Sequence, residues 1–212
     1  MTKVYPNATT ETTRIPKQIF FDRPKQISNR QVEVLTVWKK SLLFNCNGFT
    51  VFDTKGNLVF RVDNYRAGNK TEIFLMDASG KTLLTIRRKK LSLSDNWMVF
   101  DGDSSVNPKF MVKKHVNFLT SKNLAHVVSC QSANKELMYE IIGSYAQRCV
   151  AVYDNRKRLV AEIQRKEAAK GGVSFGGDVF RLIVQPEIDP TVAMSLVIVM
   201  EQMFGSRRST SI

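Results

Sequence analysis

The sequence predicts an all-β fold with one helix: a closed antiparallel β-barrel around a hydrophobic C-terminal helix. Two observations point there first. A hairpin unit recurs along the chain, and the last long segment is an apolar helix with no polar stripe. A third follows from them. Serial strands leave edges that invite aggregation, and closing the sheet removes those edges. Closure also gives the apolar helix the surroundings it needs. The chain has 212 residues, 43% of them hydrophobic, which suits one domain with a substantial core.

Residues 1–30 are rich in Thr, Pro, Lys and Gln and are expected to be a flexible tail, with Ile19-Phe20-Phe21 able to dock as one short strand. The barrel domain is expected over residues 31–205, followed by a short flexible tail at 206–212. The start Met1-Thr2-Lys3-Val4-Tyr5-Pro6 lacks the apolar stretch of a signal peptide. The sequons at Asn7 and Asn69 are therefore expected to be unused. No myristoylation start or prenylation box is present.

The hairpin unit is clearest at Thr50–Val62, where Asp53 and Gly56 punctuate two apolar runs. Phe74–Ile86 repeats it with Asp77 and Gly80, and Ala151–Ile163 with Asp154 and Lys157. Looser copies run from Val99 to Val112 and from Val128 to Ile141. In each clear copy Asp opens the turn by accepting from backbone amides ahead of it. The residue three places on takes a left-handed conformation, which Gly adopts most easily. Lys157 stands where Gly is wanted, so its turn must differ or be strained. Serial hairpins of this density specify an antiparallel all-β domain.

Between Leu83 and Ser94 the apolar parity changes. Leu84 and Ile86 share one phase, Leu91 and Leu93 the other. Side chains alternate strictly along a strand, so a bend, bulge or strand end must fall near Lys89-Lys90. The cations there would splay outward.

Asp189 is a natural N-cap for the helix that follows, and Pro190 fits its first position. From Val192 to Met200 nearly every residue is apolar. The run is shorter than the ~20 residues that span a bilayer, and Glu201 and Gln202 interrupt it. It is either enclosed by protein or dips into a membrane. The β-rich chain upstream favours enclosure.

Several segments, taken in order, carry a family resemblance. They are Gly56–Val62, then Met76–Arg87, then Asp95-Asn96-Trp97-Met98-Val99-Phe100, then Phe175–Asp189, then the apolar helix. As a series they resemble the plant LURP-one-related family over residues 30–205. That family is similar in fold to the tubby C-terminal domain and to phospholipid scramblases. The resemblance implies about twelve strands around a central helix. It implies no established activity, though the family is named from a defence-induced member. Tubby domains bind phosphoinositides through basic residues, and no motif here carries those residues over. Scramblases hold calcium on an acidic segment before the helix. Asp178, Glu187 and Asp189 are too dispersed to form it.

The formal charge is +13, with a pI near 9.8. Such a surplus attracts anionic headgroups, nucleic acid or acidic proteins. Arg87, Arg88, Lys89 and Lys90 are the candidate anionic-ligand residues. Arg forks and Lys point charges suit phosphate, and each basic residue near an anionic membrane contributes ~1 kcal/mol. The same run also fits a solvated hairpin edge guarded by Lys. Lys113-Lys114, Arg156-Lys157-Arg158 and Arg165-Lys166 add weaker patches. Lys89-Lys90-Leu91 also resembles a nuclear-import run. Trp97 and Phe100 read as core rather than as stacking platforms for bases, so direct nucleic-acid contact is not expected.

Catalytic and metal chemistry find no support. Gly171–Gly177 lacks the Lys-Ser/Thr ending of a phosphate loop and precedes a strand, not a helix. Asp101-Gly102-Asp103 starts like a calcium loop but has Val112 where the bidentate Glu belongs. His115 and His126 have no metal-ligand partner at helical or hairpin spacing. Cys46, Cys130 and Cys149 are too few and odd in number for a disulfide scaffold, which suits a reducing compartment. The expectation is a non-enzymatic module without cofactor, metal or transmembrane span. It would sit in the cytoplasm, the nucleus or at a membrane periphery and bind anionic phospholipid, with phosphoinositide first. The alternative is a protein-interaction or transcription-related adaptor without lipid binding.

Overall fold

A computed structural model describes residues 31–40, 48–67, 70–90, 95–104, 106–115, 122–131, 134–166 and 176–205. The expected tails, the Ile19–Phe21 strand and most of the Gly171–Gly177 loop lie outside them. The strands are β1 (Glu33–Trp38), β2 (Gly48–Phe52), β3 (Leu58–Ala67), β4 (Lys70–Asp77), β5 (Thr82–Arg88) and β6 (Asn96–Asp101). They continue with β7 (Phe110–Lys114), β8 (Asn123–Ser129), β9 (Leu137–Ser144), β10 (Cys149–Asp154), β11 (Leu159–Arg165) and β12 (Val179–Val184). The helix α1 spans Pro190–Phe204. Each strand pairs antiparallel with its neighbour in sequence, and β12 closes the ring on β1 through Glu33↔Val184 to Trp38↔Val179. The twelve-strand closed barrel with one C-terminal helix is thus as expected.

The three clear hairpin copies share one geometry. Asp53 Oδ1 accepts from the amides of Lys55 and Asn57, each at 2.8 Å. Asp77 Oδ1 accepts from Ser79 and Lys81, and Asp154 Oδ1 from Arg156 and Arg158. The left-handed residue follows three places on: Gly56 at φ 84°, Gly80 at 91° and Lys157 at 61°. A register shift precedes every Asp, between Val51 and Phe52, Leu75 and Met76, and Val152 and Tyr153. This is a turn closed by a bulge, the usual solution for longer hairpin loops. The Lys157 turn therefore does not differ from the others. It is strained instead, and Arg158 braces it by pairing with Asp154 Oδ2 at 2.7 Å.

The inner faces of the strands and the helix form one core. Val192 to Met200 and Met203 are all buried. Ser195 is the polar exception, and it donates to Val192 O at 2.6 Å, which satisfies its hydroxyl locally. Asp189 caps the helix, accepting from the Thr191 amide at 2.8 Å, with Pro190 at the first turn. β5 ends at Arg88, where the parity change placed a break.

Candidate functional site

In an antiparallel meander, alternate loops share an end. The turns carrying Asp53, Asp77, Asp101 and Asp154 lie at one end, together with the helix N-terminus at Asp189. The loops after β1, β5, β7, β9 and β11 lie at the other, with the helix C-terminus. That second end is basic. Lys40, Lys89, Lys90, Lys122 and Arg165 are exposed on or beside its loops. Of the described acids, Asp95, Asp178 and Glu201 lie on its loops and helix end, and Glu72 lies on β4 beside Arg87. Arg88 holds Asp95, and Lys39 and Arg148 hold Glu201.

The basic end is built around the helix terminus. Partially negative carbonyls gather at a helix C-terminus and favour cations. The last turn of α1 carries no basic residue, so the barrel supplies them. Lys114 Nζ donates to Met203 O at 3.2 Å and sits 4.7 Å from the Phe204 ring. Lys39 Nζ lies 2.6 Å from Glu201 Oε1. Arg148, only 8% exposed, is sandwiched between the Tyr145 and Phe180 rings at 4.3 Å each. Its Nε donates to Gly177 O at 3.0 Å, and its Nη2 is 3.6 Å from Glu201 Oε2. Burial pushes the Tyr145 phenol far above its ordinary range. The phenol stays neutral and reaches toward Val197 O at 3.5 Å.

The four sequence candidates divide. Arg87 is half-buried: its Nε is 3.2 Å from Glu72 Oε1, in an ion pair poorly aligned for a hydrogen bond, and its guanidinium covers Phe100 at 5.3 Å. Arg88 is more exposed, with its Nε 2.9 Å from Asp95 Oδ1. Lys89 and Lys90 are exposed. The run thus does not splay outward as four equal cations. Trp97 and Phe100 are both buried as expected, Trp97 within the barrel core and Phe100 on the outer face beneath Arg87.

Sequence reading missed Trp38, Lys39, Lys40, Lys122, Arg148 and Glu201. Counting strands would have placed them, because every second loop reaches the same end.

The two histidines are closer than their spacing suggested. His126 pairs in register with Lys113 on β7, and His115 follows that strand, so their rings lie 5.2 Å apart. Among the described residues no third His, Cys, Asp or Glu joins them as a metal ligand. Burial, then the neighbouring His115, holds the His126 imidazole below its ordinary value, against the opposing pull of Glu140. The unfolded chain accepts that proton more readily. Stability is therefore full above about 6.5, the unfolded value, and falls as pH drops through it. Thermal melts across that pH should show the loss, and His126→Gln should reduce it.

A groove of about 680 Å³ crosses the outer face of β9, β10 and β11. Ala151 and Cys149 are among the small residues lining it, with Ile142, Tyr153 and Glu162 beside them. Cys149 is exposed and Cys130 partly so, and both are free thiols. No described helix is long and apolar enough to cross a membrane.

A family model described as LURP-one-related matches residues 33–201, from the first residue of β1 to the half-buried Glu201. The chain belongs to the LURP-one-related family. Its curated relatives from Arabidopsis thaliana include the following two. Protein LURP-one-related 8 is 56% identical over 176 residues, which are 82% of this chain and 88% of that protein. Protein LURP-one-related 17 is 42% identical, over 81% of this chain and 83% of the relative. An X-ray structure of an Arabidopsis thaliana protein matches with a TM-score of 0.61 and 24% identity, over 81% of this chain and 91% of the other. That likeness supports the barrel fold. None of these LURP-one-related names states a reaction, a ligand or a partner.

Proposed function

We propose that this LURP-one-related protein is a non-enzymatic binding module whose basic barrel end docks on anionic phospholipid, with phosphoinositide as the preferred headgroup. One observation carries the reading: exposed cations from separate loops converge on one end, where the described acids Asp95, Glu201 and Glu72 are held in ion pairs. Convergence matters because a lone basic run equally serves a solvated edge, whereas several runs on one end sum their attraction to a charged plane. Lys89 and Lys90 are exposed and carry the test; Arg88 is exposed too but is held by Asp95. Arg87 and Arg88 contribute less, because Glu72 and Asp95 already partner them.

Lys89→Glu with Lys90→Glu should weaken sedimentation with anionic vesicles about 30-fold, from ~1 kcal/mol for each cation removed. The melting temperature should stay unchanged. Unaltered sedimentation would remove these lysines from the site. Arg87→Glu with Arg88→Glu is the poorer probe, since it sets like charges against Glu72 and Asp95 and should lower stability as well. The β9–β11 groove favours a second reading, an adaptor holding a protein partner. Under that reading the lysine reversals leave partner capture intact.

A further inference from the structure

We infer that the barrel meets an anionic bilayer end-on, with Trp38 as the side chain that enters the headgroup region beside Lys40. This rests on the lipid reading above and adds a residue and an orientation to it. Three large hydrophobic residues are exposed among those described: Val32, Trp38 and Val106. Val32 and Val106 lie toward the end that carries the Asp turns. Trp38 is the last residue of β1 and stands at the basic end, 42% exposed.

Its position follows from the strand. Leu35 and Val37 point into the core, so Trp38 projects from the outer face at the rim. Lys40 folds back over it: the Lys40 amide donates to Trp38 O at 2.8 Å, and the Lys40 ammonium lies 5.1 Å from the indole centroid. Across β12, Arg165 adds an exposed cation at the same rim. An exposed indole gains little in water. Its apolar body and N–H suit the membrane–water boundary, where Trp is enriched. A Lys beside it can keep its charge in the headgroup layer while its methylenes follow the ring inward. Cations on the remaining loops, at Lys89, Lys90 and Lys122, spread the attraction around the mouth. An aromatic anchor among these cations fits a lipid surface better than a soluble anion, which would use the charges and leave the indole in water.

The test uses the chain's own fluorescence. Trp38 and Trp97 are its two tryptophans, and Trp97 is 4% exposed inside the barrel. A change in emission on adding vesicles therefore reports Trp38. The full chain is titrated with vesicles of phosphatidylcholine containing a phosphoinositide, with pelleting measured in parallel. The expected result is a blue shift, quenching by brominated acyl chains, and loss of both in Trp38→Ala. That variant should pellet about tenfold less tightly, the loss expected from withdrawing part of one large apolar side chain. It should melt normally. Pelleting with unchanged emission overturns the orientation and leaves the lipid reading standing. Absence of pelleting overturns both.

Discussion

Val197→Asp is expected to unfold the protein. Val197 is 1% exposed, within a helix buried from Val192 to Met200 and enclosed by twelve strands. A carboxylate there would lose its hydration and meet aliphatic side chains instead. An uncompensated buried charge costs at least about 4 kcal/mol, against a total stability of roughly 5–15 kcal/mol for a domain. Val197→Ala separates charge from volume. It leaves a small cavity and should cost about 2 kcal/mol while the chain still folds. Circular dichroism melts of the two variants decide the matter. A soluble Val197→Asp protein that melts cooperatively at the wild-type temperature would contradict the central helix.

Gly143→Ala should cost about 3 kcal/mol, although it adds one methyl group. Gly143 lies in β9 at φ 126°, a conformation that L side chains rarely adopt. A Cβ there would overlap the Cys149 carbonyl oxygen and stand 3.1 Å from Val150 Cα. Both obstacles are backbone of the paired strand β10, so no rotamer change relieves them. The same stretch reaches across to the residue before β8, with the Gly143 amide donating to Lys122 O at 2.9 Å. Chemical denaturation gives the size of the loss. A variant with the wild-type midpoint would mean that β9 and β10 shift apart freely, against the close pairing described.

Much of the fold was legible because it is encoded locally. Asp189-Pro190 marks the helix start, and the Asp-to-Gly spacing marks each turn, since both features act within a few residues. The Lys157 turn shows where local reading stops. Its residue type announced strain, but only the pairing of β10 with β11 shows that the backbone keeps the common geometry. The candidate site was less legible, because its character depends on which charges are already partnered. Glu72 reaches Arg87 across the β4–β5 pair, and Arg148 finds Glu201 near the far end of the chain. No periodicity carries that information. His115 and His126 met for the same reason: strand register, not helical or simple hairpin spacing, set their distance.

The most direct measurement is co-sedimentation of the purified protein with vesicles at physiological salt, where long-range attraction is already screened beyond about 8 Å. Vesicles of phosphatidylcholine alone, with phosphatidylserine, and with a phosphoinositide at matched surface charge are compared. The expected result is pelleting with the anionic vesicles, strongest with phosphoinositide, and none with phosphatidylcholine. Equal pelleting with both anionic lipids would remove the headgroup preference and leave a general basic surface. No pelleting with any vesicle would contradict the proposed function.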